Sequence, residues 1–148
     1  MKTTILTSII VMSSFFSVSQ VKFNFMTFGF HRIDVTNNPK IKLEKLINVD
    51  PSGDLSYWDG FNHYEVDLNK KLVTHCFVGE VQGEKLKIFN LVESKNYYSF
   101  DVKGKGATEK SFLIPKTKNS KYFLLIKYKS GKDTEVALFG SSSKKHPF

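Results

Sequence analysis

The sequence has few of the residues on which redox, disulfide-rich and phosphate-binding proteins depend. It contains a single cysteine in 148 residues, Cys76, so no disulfide can form within the chain. Arginine is equally scarce, because every basic residue except Arg32 is a lysine. Lysine lacks the planar guanidinium that binds phosphate in a bidentate way. These two shortages exclude a disulfide scaffold and argue against a specific nucleic-acid site.

The common catalytic motifs are also missing. The sequence contains no G-x-S-x-G, H-E-x-x-H, C-x-x-C, phosphate loop or G-x-G-x-x-G in a strand-to-helix context. His75 precedes Cys76, but neighbouring residues of a strand point to opposite sides, so the two cannot act together as base and nucleophile. The sequence therefore favours a non-enzymatic protein and calls for no cofactor.

The first residues follow the pattern of a secretory signal. Lys2 supplies a positive charge, residues 5–12 are mostly apolar, and Ser17 and Ser19 supply the small side chains of a cleavage site. We therefore predict a cleaved signal over residues 1–19 and a secreted or periplasmic protein. The apolar run is too short for a membrane anchor, which needs about 20 apolar residues, and no later stretch approaches that length.

Removal of residues 1–19 leaves 129 residues, a length typical of one domain. That chain carries 21 basic and 14 acidic residues, a net charge of +7. Lysines spaced along strands are typical of a solvated face that discourages pairing between sheet edges. We expect one domain over residues 20–140, a flexible polar tail over 141–148, and a buried Cys76 within its apolar run.

Alternation of apolar and polar residues dominates the chain and indicates β-strands. The alternation that begins at Val21 shifts phase between Phe25 and Met26, which predicts a β-bulge or a bend in a long first strand. Asp59-Gly60 is a hairpin signal. Short turns recur every 8–12 residues and divide the later chain into strands, at 55–58, 61–68, 72–78, 86–92, 97–103, 111–114, 122–128 and 134–139.

This spacing predicts an all-β fold, a single antiparallel meander of about eight to ten strands that forms a small barrel or sandwich. Residues 40–49 fit two structures: we prefer a strand on context, with one short helix near residues 40–48 as the alternative. The size and strand count resemble the lipocalin-like group. The Gly-x-Trp signature of that group is absent near the first strand, and Trp58 lies mid-chain, so no family is assigned.

Two sets of residues are candidates for binding. His63, Glu65 and Asp67 share one face of a strand and could hold a divalent metal, although the wet side of a half-buried strand explains the same alternation. Aromatic side chains form the second set and could contact a ligand: Tyr57, Trp58, Tyr64 and Tyr98. Tyr97 and Tyr98 are adjacent, so one ring must lie on each face of the sheet.

Three functions are compatible with these features. The first is a binding domain for a small apolar ligand or an extracellular protein, with the phenylalanines of residues 23–30 supplying apolar surface. The second is an extracellular metal-dependent hydrolase that uses His63, Glu65 and Asp67 and requires a further partner such as His31. The third is an envelope-associated structural protein that binds acidic polymers through lysine. We rank them in that order.

Overall fold

The computed structural model describes residues 19–50, 55–77, 82–105, 109–117 and 119–140, without the side chains of residue 28 and residues 57–61. The expected tail lies outside these residues, as does the expected signal apart from Ser19. Among the described residues, no helix has the length and apolar character needed to cross a bilayer.

In the part of the chain that the structure describes, eight strands form one closed antiparallel barrel. Each strand pairs with the next along the chain, and β1 also pairs with β8 to close the sheet. The predicted all-β meander is therefore confirmed, and the sheet is a barrel. The strands are β1 (Lys22–Asp34), β2 (Ser56–Asp67), β3 (Leu72–Phe77), β4 (Glu84–Glu93), β5 (Tyr97–Lys103), β6 (Glu109–Pro115), β7 (Tyr122–Ser130) and β8 (Asp133–Gly140).

The pairing of β1 with β2 is irregular after Thr27, close to the predicted phase shift, but the extra residues lie in β2 and not in the first strand. The hairpin predicted at Asp59-Gly60 is absent. Both residues lie inside β2, which is continuous. Between the pairs Thr27–Asn62 and Gly29–Tyr57, β1 advances two residues while β2 advances five. The dipeptide therefore belongs to an irregular section of a long strand, where extra residues bend the chain without reversing it.

Large apolar side chains fill the barrel. Phe112, Leu124 and Phe139 are fully buried, and Phe100 stacks on Phe112 with ring centroids 5.4 Å apart. An eight-stranded barrel is just wide enough for its own side chains to fill the interior. The core thus occupies the space in which an internal ligand would otherwise lie.

The connection from β1 to β2 covers part of the outside of the barrel. We call residues 35–50 the strap. It contains a 3-10 helix, Leu43–Leu46. The strand predicted for this segment is therefore wrong, and the alternative of a short helix is right. Leu43 and Leu46 are buried because they pack with outward-facing Leu125 and Leu138 in a second apolar cluster.

Cys76 is half-buried and unpaired, not fully buried as expected. Its neighbours Val73 and His75 face the interior and are buried. Cys76 therefore falls on the outward side of β3, where the alternation of the strand places every second residue.

Candidate functional site

The strap and the outer wall of β4, β5 and β6 enclose two adjoining cavities that we call the strap groove. The first has a volume of about 350 Å³ and includes Lys40, Glu44, Asn90, Tyr97 and Asp101 in its lining. The second, of about 550 Å³, extends over the β4–β5 and β6–β7 turns, and its described lining is Glu44, Ile47, Asn48, Asn96, Tyr97, Thr117, Asn119 and Ser120. Tyr97 and Glu44 line both cavities.

A β-bulge builds the floor of the first cavity. Between Phe89 and Val92, β4 advances three residues while β5 advances two. Asn90 occupies the extra position with a φ of 52°, a conformation that asparagine tolerates better than most residues. The bulge allows both Ile88 and Leu91 to contact the interior core, and it places the Asn90 amide against the outer wall.

Asp101 is the centre of the hydrogen bonds on that floor. One carboxylate oxygen accepts a hydrogen bond of 2.9 Å from the Asn90 side chain, and the other accepts one of 2.6 Å from the Ser111 hydroxyl. The three residues come from three adjacent strands. Their mutual bonds fix the carboxylate in one orientation, and each oxygen keeps a further lone pair for a ligand.

Tyr97 is fixed by the turn that precedes it. The Ser94 hydroxyl accepts hydrogen bonds from the backbone N–H groups of Asn96 and Tyr97, at 3.1 and 3.0 Å. Tyr97 then packs against the outer apolar cluster, whereas Tyr98 packs against the interior core, as the adjacent pair predicted. The Tyr97 ring is half-buried where the two cavities meet.

The strap side of the groove is held by specific hydrogen bonds. The Lys127 ammonium donates to the carbonyl oxygens of Pro39 and Ile41, at 3.1 and 3.2 Å. The Tyr122 hydroxyl donates to the Val49 carbonyl at 2.6 Å. Burial is the main reason why the pKa of Tyr122 is raised, so this hydroxyl remains a donor at neutral pH. The groove is therefore a fixed feature of the fold.

A third cavity, of about 600 Å³, opens at one mouth of the barrel beside His75, Phe77, Glu84 and Lys110. Nε2 of His75 lies 2.6 Å from Oδ1 of buried Asn62, and the imidazole stacks on Tyr64 with centroids 4.5 Å apart. Burial lowers the pKa of Lys110, and the nearby Glu84 carboxylate opposes that shift. Of the polar groups at this mouth, the His75 imidazole is engaged by Asn62 and Tyr64.

The proposed metal ligands do not converge. His63 is half-buried, Glu65 is exposed, and Asp67 is buried, where its carboxylate accepts a hydrogen bond from the Lys70 backbone and pairs with Lys22. In the part of the chain that the structure describes, no three His, Cys, Asp or Glu side chains are grouped to hold a metal.

His31 does not join this triplet either. Its register partner is Leu138 of β8, whereas His63 pairs with Met26, five residues earlier in β1. That separation along the strand is about 16 Å.

The proposed aromatic ligand-binding residues are also separated. Tyr64 is 2% exposed and belongs to the interior core. Tyr98 is half-buried, its ring 5.7 Å from that of Phe23 and 4.2 Å from the Lys116 ammonium. The side chains of Tyr57 and Trp58 lie outside the described residues. Sequence reasoning missed the strap groove because its side chains come from segments 40–48, 90–101 and 111–127, which no local spacing connects.

Comparison of the chain with protein-family models, with curated proteins and with solved structures gave no match.

Proposed function

We propose that this protein is a non-enzymatic binding domain that holds its ligand in the strap groove. The observation that carries this proposal is the pair of adjoining cavities that meet at Tyr97 on the outer wall. Their volumes fall within the range of ligand sites, about 300–1,000 Å³. The signal-like N-terminus supports an extracellular or periplasmic location for that role.

The filling of the barrel supports an external site over an internal one. Phe112, Leu124 and Phe139 are all 0% exposed, so an apolar ligand inside would have to displace well-packed side chains. The groove requires no such displacement. It also combines an apolar element, exposed Val92, with the oriented carboxylate of Asp101, and such a combination gives a site both affinity and orientation.

The test is chemical-shift mapping by NMR with four small probes of different chemistry: glucose, N-acetylglycine methylamide, benzoate and butanol. Because binding sites attract small molecules of related chemistry, we expect at least one probe to shift the amides of Asn96, Tyr97, Ser99 and Asp101 together in a saturable way. Shifts confined to His75 and Lys110 at the barrel mouth, or scattered shifts that do not saturate, would contradict the proposal.

A further inference from the structure

We infer that the ligand of the strap groove is a neutral saccharide chain, an inference that rests on the function proposed above. The side chains that line the groove match the hydrogen bonding of sugar hydroxyl groups, an aromatic ring lies at its midpoint, and its charges nearly balance.

The second cavity is lined mainly by neutral hydrogen-bonding groups. Six of its eight described lining residues carry an amide or a hydroxyl: Asn48, Asn96, Tyr97, Thr117, Asn119 and Ser120. Each of these groups can both donate and accept, as can each hydroxyl of a sugar. Glu44 is the one charged side chain among the described lining residues, so the cavity offers too few carboxylates for a metal ion and no cation for an anion. The lining therefore favours a ligand rich in hydroxyls.

The first cavity adds one oriented acceptor. Asn90 and Ser111 each donate to a different oxygen of Asp101, at 2.9 and 2.6 Å, which fixes the plane of the carboxylate. Two adjacent hydroxyls of a pyranose ring can donate to the two oxygens of one carboxylate. Hydrogen bonds to a charged acceptor are stronger than bonds between neutral groups, so Asp101 would fix the orientation of the sugar.

Tyr97 supplies the apolar surface that a sugar ring requires. One face of a pyranose presents C–H groups, and these pack well against an aromatic ring. Tyr97 is half-buried at the junction of the two cavities, and Val92, 51% exposed, lies beside it in the first cavity. Because both cavities meet at this ring, successive sugar units could contact it from either side, which favours a chain over a monosaccharide.

The charges around the groove favour a neutral sugar over an acidic one. Lys40 and Lys42 on the strap are offset by Glu44 and Asp101. Lys127 also lines the groove, but its ammonium is engaged by the carbonyls of Pro39 and Ile41. Those carbonyls are neutral, so the lining carries three ammonium groups against two carboxylates, a net charge of +1, and an acidic polymer would gain little from it.

The test is calorimetric titration of the purified protein with cellotetraose, maltotetraose, mannotetraose and chitotetraose. We expect at least one to bind saturably, and Tyr97→Ala to weaken that binding about tenfold through loss of ring contact. Tyr97→Phe should retain most of the affinity, and Asp101→Asn should reduce it. Phe77→Ala removes an exposed ring at the barrel mouth and should change nothing.

Two results would overturn the inference. The first is the absence of saturable binding for all four tetrasaccharides. The second is binding that Tyr97→Ala and Asp101→Asn both leave unchanged while thermal melting shows each variant to be folded. If the small NMR probes still map to the groove in either case, the proposed function stands and only the saccharide is wrong. If the probes also bypass the groove, both proposals fail.

Discussion

The two sides of the barrel differ in what covers them. The outward faces of β6, β7 and β8, which we call the covered wall, pack beneath the strap, and Leu113, Leu125, Val136 and Leu138 there are fully buried. Along β2 and β3, whose outward faces we call the bare wall, buried residues alternate with more accessible ones, as in β3, where buried Val73 is followed by half-buried Thr74. The strands of the covered wall are thus apolar on both faces, whereas those of the bare wall are apolar mainly on the face toward the interior.

That difference explains where the groove lies. A strap that packs on apolar strands must end against polar ones, and the boundary falls at β4–β6, where Ser99, Asp101 and Ser111 face outward. The bare wall has no such second layer among the described residues. The groove therefore lies on the outside of a filled barrel, at the edge of the added layer.

The largest effect is expected from truncation within the covered wall. Leu125→Ala should lower the free energy of unfolding by about 3 kcal/mol, because it leaves a cavity between the strap and the sheet. Met26→Ala on the outside of β1, where Met26 is 50% exposed, should change it by less than about 0.5 kcal/mol. Urea denaturation of both variants measures the contrast, and equal losses would contradict it.

Truncation of the strap itself should have the next largest effect. Leu46→Ala removes a buried side chain of the 3-10 helix and should cost about 2 kcal/mol. Lys45→Ala, one residue away and exposed, is the matched control and should be close to neutral. Leu46 packs the strap against the sheet, so Leu46→Ala should also weaken probe binding in the groove. A strap that stabilises the fold but forms no part of the site would leave probe binding unchanged.

Removal of the hydroxyl that anchors the end of the strap should cost less. Tyr122→Phe eliminates the 2.6 Å hydrogen bond to the Val49 carbonyl, and we expect a loss of about 1 kcal/mol. Tyr97→Phe is the control, because Tyr97 packs on the same outer apolar cluster and its hydroxyl makes no hydrogen bond to the described residues of the strap. Thermal melting of both variants measures the difference in stability. A Tyr122→Phe variant as stable as the wild type would show that the hydrogen bond to Val49 contributes nothing to stability.

The smallest effect concerns acid stability on the bare wall. The Lys70 backbone hydrogen bond, helped by Lys22, holds the pKa of Asp67 below its usual range. The stability from that carboxylate is therefore present above its unfolded pKa, about 3.9, and is lost as pH falls through the lower folded pKa. Asp67→Asn should therefore reduce the loss of unfolding free energy that occurs as the pH is lowered, measured by urea denaturation at a series of acidic pH values. The same loss in the variant and the wild type would show that other carboxylates cause the acid sensitivity.

Much of the fold follows from local pattern, because strand alternation and turn residues are short-range signals. The opposite faces of Tyr97 and Tyr98 and an antiparallel meander of about eight to ten strands are confirmed, whereas the extra residues at the β1–β2 irregularity lie in β2 and not in the first strand. The hairpin at Asp59-Gly60 is wrong because pairing with β1 outweighs the local turn preference. The same applies to residues 40–49, where packing on distant strands selects a 3-10 helix.

The groove was less predictable because it depends on which wall the strap covers. A signal did exist: 112–114, 124–126 and 136–139 are unbroken apolar runs, and such runs indicate strands buried on both faces. These runs indicate that another segment must cover the outside of the strands, but they do not identify that segment. The hydrogen bonds of Asp101 with Asn90 and Ser111 depend on register and on a bulge, which the spacing of residues alone does not set.

The most direct test of the strap groove as the binding site is the probe titration, repeated on two variants that each carry one added aromatic ring. Ser99→Phe places the ring inside the strap groove, and Thr74→Phe places an identical ring on the bare wall. We expect Ser99→Phe to abolish the saturable chemical-shift changes at Tyr97 and Asp101 and Thr74→Phe to preserve them, with both proteins folded. Equal binding by the two variants would contradict the claim that the strap groove is the site.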